Sequence, residues 1–414
     1  MEFRNKVTDE ALATYGCYTS WIQEEATRRK LFLSTDEGLK DYNDKDMNGN
    51  DYNFIALLKA CAKNKDLYEG SRLHADILDK GLLEINPHLG STLISMYAKC
   101  GELEKALEVF QELPVQNIVA WNSLIAAYSY RDKFWEALNY FEQMQSAGLW
   151  PNAVTFTCIL KVYGNTQDIV KGKQIHEELV SRGLLEKDIV LATALVDMYA
   201  KCGELTRAEE VLSELPTRNV VSWSVLITGY AQMEIGQNAL ECFERMGSEG
   251  LYPDAIILTS VLNACASILA IEKGKQIHTK ILSNCLLEKD ILLGNALVDM
   301  YAKCAMLEKA KRVLKDLPYR DTITWSALIA GYAEQGLCHE ALICFEHMQS
   351  EGLLPDAVTF ICVLKACAST GAIDKGKQIH VMIVNEGFIA KDTFLGSALV
   401  DMYAKYGDIQ NAQQ

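Results

Sequence analysis

The chain has 414 residues, 49% of them hydrophobic, and a formal net charge of −15. This is globular composition, long enough for two or three ordinary cores, and it excludes a disordered or fibrous chain. No apolar run approaches the roughly 18–20 residues that cross a bilayer, and the acidic balance taken alone argues against a phosphate-binding surface.

In chain order, the first 50 residues mix both signs of charge, as in Glu24, Glu25, Arg28, Arg29 and Lys30. They lack the apolar core of a signal peptide and the acid-poor, Arg/Ser-rich character of a transit sequence, so targeting is unreadable there. From residue 51 onward, landmarks return every 102 residues: Trp121, Trp223 and Trp325; Tyr97, Tyr199, Tyr301 and Tyr403; His74, His176, His278 and His380. Six of the seven prolines obey the same register (Pro114, Pro216, Pro318; Pro151, Pro253, Pro355) and only Pro87 stands alone. An invariant period without insertions predicts a repeat array in place of unrelated domains.

Within one period, Trp223, Leu226, Ile227 and Tyr230 form an apolar stripe at i, i+3, i+4 and i+7. Gly236 interrupts, Ala239, Leu240, Phe243 and Met246 make a second stripe, and Gly250 and Pro253 end it. The same helix, turn, helix and breaker recur at 118–152 and 322–356. The rest of each period divides into units of 36 residues (153–188, 255–290, 357–392) and 31 residues (189–219, 291–321). No strand-like alternation competes, so the predicted architecture is an all-α solenoid of antiparallel helix-turn-helix repeats, each burying its stripes against its neighbours.

VVSWSVLITGYA…ALECFERM…GLYPD, GKQIH with SVLNACAS, and ALVDMYAKCGELTRAEEVL, in units of 35, 36 and 31 residues, resemble the P, L and S motifs of the pentatricopeptide repeat family, plant-type PLS class. The resemblance covers residues 51–414, about eleven repeats with the last cut off from residue 393. It implies a right-handed superhelical solenoid. Residues 1–50 are then a leader or a degenerate repeat; a P repeat would fall at 16–50, but no tryptophan occupies its fourth position.

Tetratricopeptide arrays, which bind peptides, have helix-turn-helix units of similar length. The resemblance here implies single-stranded RNA instead, one base per repeat, read by the fifth and last residues of each repeat, with an apolar second residue wedged between bases. The implied readers are Ser91 with Asn117, Asn122 with Asn152, Thr193 with Asn219, Ser224 with Asp254, Asn295 with Asp321, and Ser326 with Asp356. Val119, Val221 and Ile323 are the implied wedges. An Asp carboxylate only accepts hydrogen bonds and suits the ring N–H of uracil or guanine, whereas Asn can also donate to adenine or cytosine. With the family's preference for purines at Ser or Thr and pyrimidines at Asn, repeats 87–117 to 322–356 read A, C/U, any, A, G, any, U, G from 5′ to 3′. The L repeats (Thr157 with Asp188, Thr259 with Asp290, Ile361 with Asp392) are left unread. The same residues also suit helix N-termini, where Ser, Thr, Asn and Asp cap free backbone N–H groups. Capping and base reading therefore compete for one set of positions.

Lys99, Lys201, Lys303 and Lys405 hold position thirteen of each S repeat, where the resemblance implies contact with the RNA backbone. The P repeats carry Tyr130, Gln232 and Glu334 there. The four registered histidines have no ligand-spaced partner, so no metal is expected and a packing role is. Cys100, Cys202 and Cys304 read as small apolar residues at a helix end, since Tyr406 takes the fourth place. Gly101, Gly203 and Gly407 read as left-handed caps, and Ala305 in their register predicts a strained or differently shaped turn. Asp299 has no evident role. No catalytic constellation, phosphate-cradling loop or zinc-deaminase signature is present, so neither an enzyme nor a cofactor is expected. Nor is a membrane or small-molecule partner. The chain ends at Gln414 within a helical pattern, as a fragment or a truncated gene would.

The function expected is organellar (mitochondrial or chloroplast) RNA binding that guides transcript processing, C-to-U editing foremost, with an editing deaminase or other factors in trans. The competing expectation is a helical-repeat protein-interaction scaffold with weak or lost RNA binding. With so few lysines, binding should depend weakly on salt: log K against log salt is predicted to have a slope shallower than about −4, and a steeper slope contradicts the base-contact picture.

Overall fold

The computed structural model describes residues 49–408 except 285, 288, 289 and 389–391. Residues 1–48 of the expected leader and 409–414 of the expected last repeat lie outside them. Among the described residues every regular element is a helix. The chain divides into two compact units at Leu226/Ile227, within the helix Val220–Gln232.

Both units are built alike. The 35-residue repeats pair Ile118–Tyr130 with Phe134–Ser146 and Thr322–Glu334 with Cys338–Ser350. The 36-residue repeats pair Ala153–Thr166 with Ile169–Ser181, Ala255–Ser267 with Ile271–Ser283, and Ala357–Thr370 with Ile373–Asn385. The 31-residue repeats pair Ile189–Lys201 with Leu205–Glu214 and Ile291–Lys303 with Leu307–Asp316. Within a unit, each first helix packs on its own second helix and on the first helices of the adjoining repeats. The apolar stripes are the core: Trp223, Leu226, Ile227, Ala239 and Met246 are fully buried.

The turn inside each repeat needs one residue in left-handed conformation, because a 6→1 hydrogen bond closes the first helix there. Gly203 supplies it at φ +78°, with Glu204 N–H donating to the Tyr199 carbonyl at 2.9 Å. Ala305 adopts the same turn at φ +58°, with Met306 N–H donating to Tyr301 at 2.8 Å. The shape is thus conserved and the strain accepted, on the order of 1–2 kcal/mol for a residue with a Cβ. Lys65, Gln167, Glu234 and Leu269 bear the same conformation at φ between +55° and +58°.

GKQIH and ALVDMYAK prove to be the two halves of one interface. Gly274 and His278 stand one turn apart on the helix Ile271–Ser283 and face Met300 and Tyr301 of Ile291–Lys303. A Cβ on Gly274 would lie 2.6 Å from Met300 Sδ, so only glycine permits this approach without the methionine shifting. His278 Nδ1 lies 3.0 Å from Tyr301 Oη, their rings edge to face at 5.5 Å. The other three histidines repeat the contact with Tyr97, Tyr199 and Tyr403 at 3.0, 2.8 and 2.9 Å.

Burial holds all four imidazoles below the usual histidine range. The folded chain therefore binds fewer protons than the unfolded chain just below pH 6.5, and this stability is complete above that pH and lost as pH falls towards the folded pKa values. The melting temperature should drop between pH 7 and pH 5. Replacing all four histidines by Phe, which keeps a ring but no proton site, should flatten that drop; an unchanged slope would show that the four contacts do not govern it.

Candidate nucleic-acid interface

The first N–H groups of a helix have no intrahelical acceptor, and the last residue of each repeat meets that need for the next helix. Asn117 Oδ1 accepts from Val119 and Ala120 N–H, both at 3.0 Å. Asn152 accepts from Thr155 N–H at 3.0 Å, Asn219 from Ser222 at 2.9 Å, Asp254 from Ile257 at 3.0 Å, Asp321 from Thr324 at 2.9 Å and Asp356 from Thr359 at 2.7 Å. Capping is thus a settled role of the last-position residues. It does not exhaust them, because a carboxylate has two oxygens and an amide keeps its NH2 group.

Three of the expected reader pairs are joined by a side-chain hydrogen bond between the fifth and last residues of one repeat. Asn122 Nδ2 donates to Asn152 Oδ1 at 3.1 Å, Asn295 Nδ2 to Asp321 Oδ2 at 3.1 Å, and Ser326 Oγ to Asp356 Oδ1 at 3.3 Å. Ser91 and Thr193 differ: their hydroxyls donate to the carbonyls of His88 (3.0 Å) and Ile189 (2.7 Å) in their own helices. Among the fifth residues, Ser91, Asn122, Thr193, Asn295 and Ser326 are only 0–7% exposed, whereas Asn152 is exposed and Asp254, Asp321 and Asp356 are half-buried. The last residue therefore presents most of each pair's polar surface, and the fifth residue sets it from beneath. Val221 is exposed and Val119 and Ile323 are half-buried on the first turn of their helices, apart from the core.

Two features were not legible from the pattern alone. The third residue of the following repeat is a buried hydroxyl, Thr155, Thr324 or Thr359, beside each joined pair. Asn or Asp followed three residues later by Thr is a capping-box variant and was a usable signal. The second is Asp299, which pairs with Lys303 at 2.9 Å, as Asp197 does with Lys201 (3.0 Å) and Asp401 with Lys405 (2.9 Å). Burial lowers the Lys303 pKa, but Asp299, with Glu334 and Glu234 beyond it, holds the ammonium above the usual lysine range. Each of these three lysines is paired with an aspartate one turn earlier on its own helix.

The remaining candidates are packing elements. Among the described residues the cysteines are free thiols, burial pushes Cys265 up to about 12 and Cys158 to about 11, and no cluster of three or more potential ligands could hold a metal. No described helix is long and apolar enough to cross a membrane.

Helical hairpins in repeating units, with a polar cap before the first helices and joined polar pairs in three of the repeats, define a helical-repeat protein. Its repeats match the PPR repeat family at residues 116–165 and 320–369 and the PPR repeat at 91–118, 190–220, 221–251 and 295–321, together about half of the chain. The chain belongs to the pentatricopeptide repeat family. A pentatricopeptide repeat-containing protein of Arabidopsis thaliana is 35% identical over 365 residues, 88% of this chain and 52% of the relative. Two others from that plant, one mitochondrial and one chloroplastic, are 35% and 33% identical over 84% and 88% of this chain, and 34% and 58% of their own lengths. The chain thus spans roughly a third to three-fifths of these relatives. Among solved structures, the maize pentatricopeptide repeat protein PPR10 superposes with a TM-score of 0.64 at 20% identity, covering 93% of this chain and 59% of that one. PPR10 in complex with an 18-nt psaJ RNA element superposes at 0.62, also at 20% identity, over 75% of this chain and 46% of that one. At that identity the likeness establishes the fold.

Proposed function

We propose that this chain binds single-stranded RNA in a sequence-specific manner, one base per repeat, and guides processing of an organellar transcript, C-to-U editing foremost, with the chemistry supplied by a factor in trans. The observation that carries the reading is the polar pairing of the fifth with the last residue of a repeat, Asn122–Asn152, Asn295–Asp321 and Ser326–Asp356, at equivalent places in three repeats. Each pair combines a carboxylate or amide at the surface with a buried group that sets its free lone pairs and protons, which is what discrimination between Watson–Crick edges requires. The PPR10 complex with RNA supports the same class of ligand, and the mitochondrial and chloroplastic relatives support an organellar site. Val119, Val221 and Ile323 are the proposed wedges, and Lys99, Lys201, Lys303 and Lys405 the proposed backbone contacts. Residues 51–414 are the proposed array.

A second reading, a scaffold for basic partners, is favoured by one observation: the Asp partners of Lys201, Lys303 and Lys405 leave the proposed backbone track with little uncompensated positive charge. Gel shifts separate the two. RNA containing AYNAGNUG should bind more tightly than a scrambled sequence, and Ser224→Asn should move the preference at the fifth nucleotide from G towards a pyrimidine by roughly five- to tenfold, the worth of one hydrogen bond. Equal affinity for the scrambled RNA would overturn the RNA reading and leave the scaffold.

A further inference from the structure

We propose that the third residue of the following repeat is a positioning residue for base discrimination: Thr324 and Thr155 lock the amide of the fifth-position asparagine, and Thr359 holds Ser326. The inference deepens the RNA reading and rests on it.

The geometry leaves one consistent proton arrangement around Asn295. Thr324 Oγ1 lies 2.6 Å from Asn295 Oδ1 and 2.7 Å from Asp321 Oδ1, while Asn295 Nδ2 lies 3.1 Å from Asp321 Oδ2. A carboxylate accepts only, so it must face the Asn295 NH2 group, which turns Oδ1 towards Thr324. The single hydroxyl proton of Thr324 then goes to Asn295 Oδ1. Asp321 Oδ1 is served by Thr324 N–H at 2.9 Å, and Asp321 N–H donates to Thr324 Oγ1 at 3.3 Å. Every buried polar atom of the threonine is thereby satisfied, and the amide cannot flip without setting oxygen against oxygen. Thr155 repeats the pattern, 2.7 Å from Asn122 Oδ1 and 3.0 Å from Asn152 Oδ1, with Asn122 Nδ2 on Asn152. Beside Ser326, the Thr359 hydroxyl contacts the serine Oγ and lies 2.6 Å from Asp356 Oδ1, so the two hydroxyls and the carboxylate form one cluster. All three threonines are fully buried.

The chain supplies its own contrast. Where the third residue of the next repeat is Ala120, Ser91 turns back to the His88 carbonyl. Where it is Ser222, whose hydroxyl donates to the Asn219 carbonyl at 2.9 Å, Thr193 turns back to Ile189. Where it is Leu191, Thr157 turns back to Ala153 at 2.8 Å. A threonine at this place thus decides whether the fifth side chain is held across the repeat boundary or returned to its own helix.

The test compares the full chain with Thr324→Val and Thr324→Ser, each bound to AYNAGNUG RNA carrying U or C at the seventh nucleotide. The wild type should favour U; Val, nearly isosteric but without the hydroxyl, should cut the U-to-C ratio about five- to tenfold, and Ser should restore it. The preference for G at the eighth nucleotide should stay unchanged in both variants. A loss of packing alone would weaken both RNAs together and leave the ratio intact. If Thr324→Val loses its helical circular dichroism, Thr155→Val read as the pyrimidine-to-purine ratio at the second nucleotide decides in the same way. A wild type without preference at the seventh nucleotide overturns the RNA reading; a discriminating wild type matched by its Val variant overturns the threonine role alone.

Discussion

The unpaired N–H groups at the start of every first helix are the constraint on which this architecture turns. A solenoid repeats that exposed helix end once per unit, and each end needs a short polar acceptor just before it. Asn117, Asn152, Asn219, Asp254, Asp321 and Asp356 meet the need, so a polar atom is delivered to the same place in repeat after repeat. Packing of first helix on first helix then brings the fifth residue of the cap's own repeat against it in three repeats. A row of chemically variable pairs on an invariant frame is the direct result.

The electrostatics follow a similar economy. Lysines near the ends of the first helices sit one turn beyond an aspartate, an i,i+4 arrangement that favours the helix and compensates the charge. The net charge of −15 is therefore not masked by a concentrated basic stripe on these helices. The RNA binding proposed for this chain draws on edge complementarity and stacking more than on counterion release.

Much of the frame was legible from spacing. The registered Trp, Tyr, His and Pro residues marked the repeat, and the apolar stripes marked which faces are buried, as Trp223, Ile227 and Met246 confirm. The left-handed turns were foreseen at Gly101, Gly203 and Gly407 but not at Lys65, Gln167 or Leu269, because there the turn is imposed by packing on residues with no preference for it. The histidines read as packing residues, yet their tyrosine partners lie 23 positions away, a distance no local pattern reports. The threonines that clasp the proposed reader pairs escape the pattern for the same reason: a capping box is visible in sequence, but its second bond, back to the preceding repeat, exists only once the helices are stacked.

The most direct measurement is a structure of the full chain bound to an RNA containing AYNAGNUG. Successive bases should lie opposite successive pairs of fifth and last residues, with the uracil edge at Asn295 and Asp321 and the final guanine at Ser326 and Asp356. Bases directed away from these pairs, or more than one base per repeat, would contradict the picture of a periodic cap turned into a reading position.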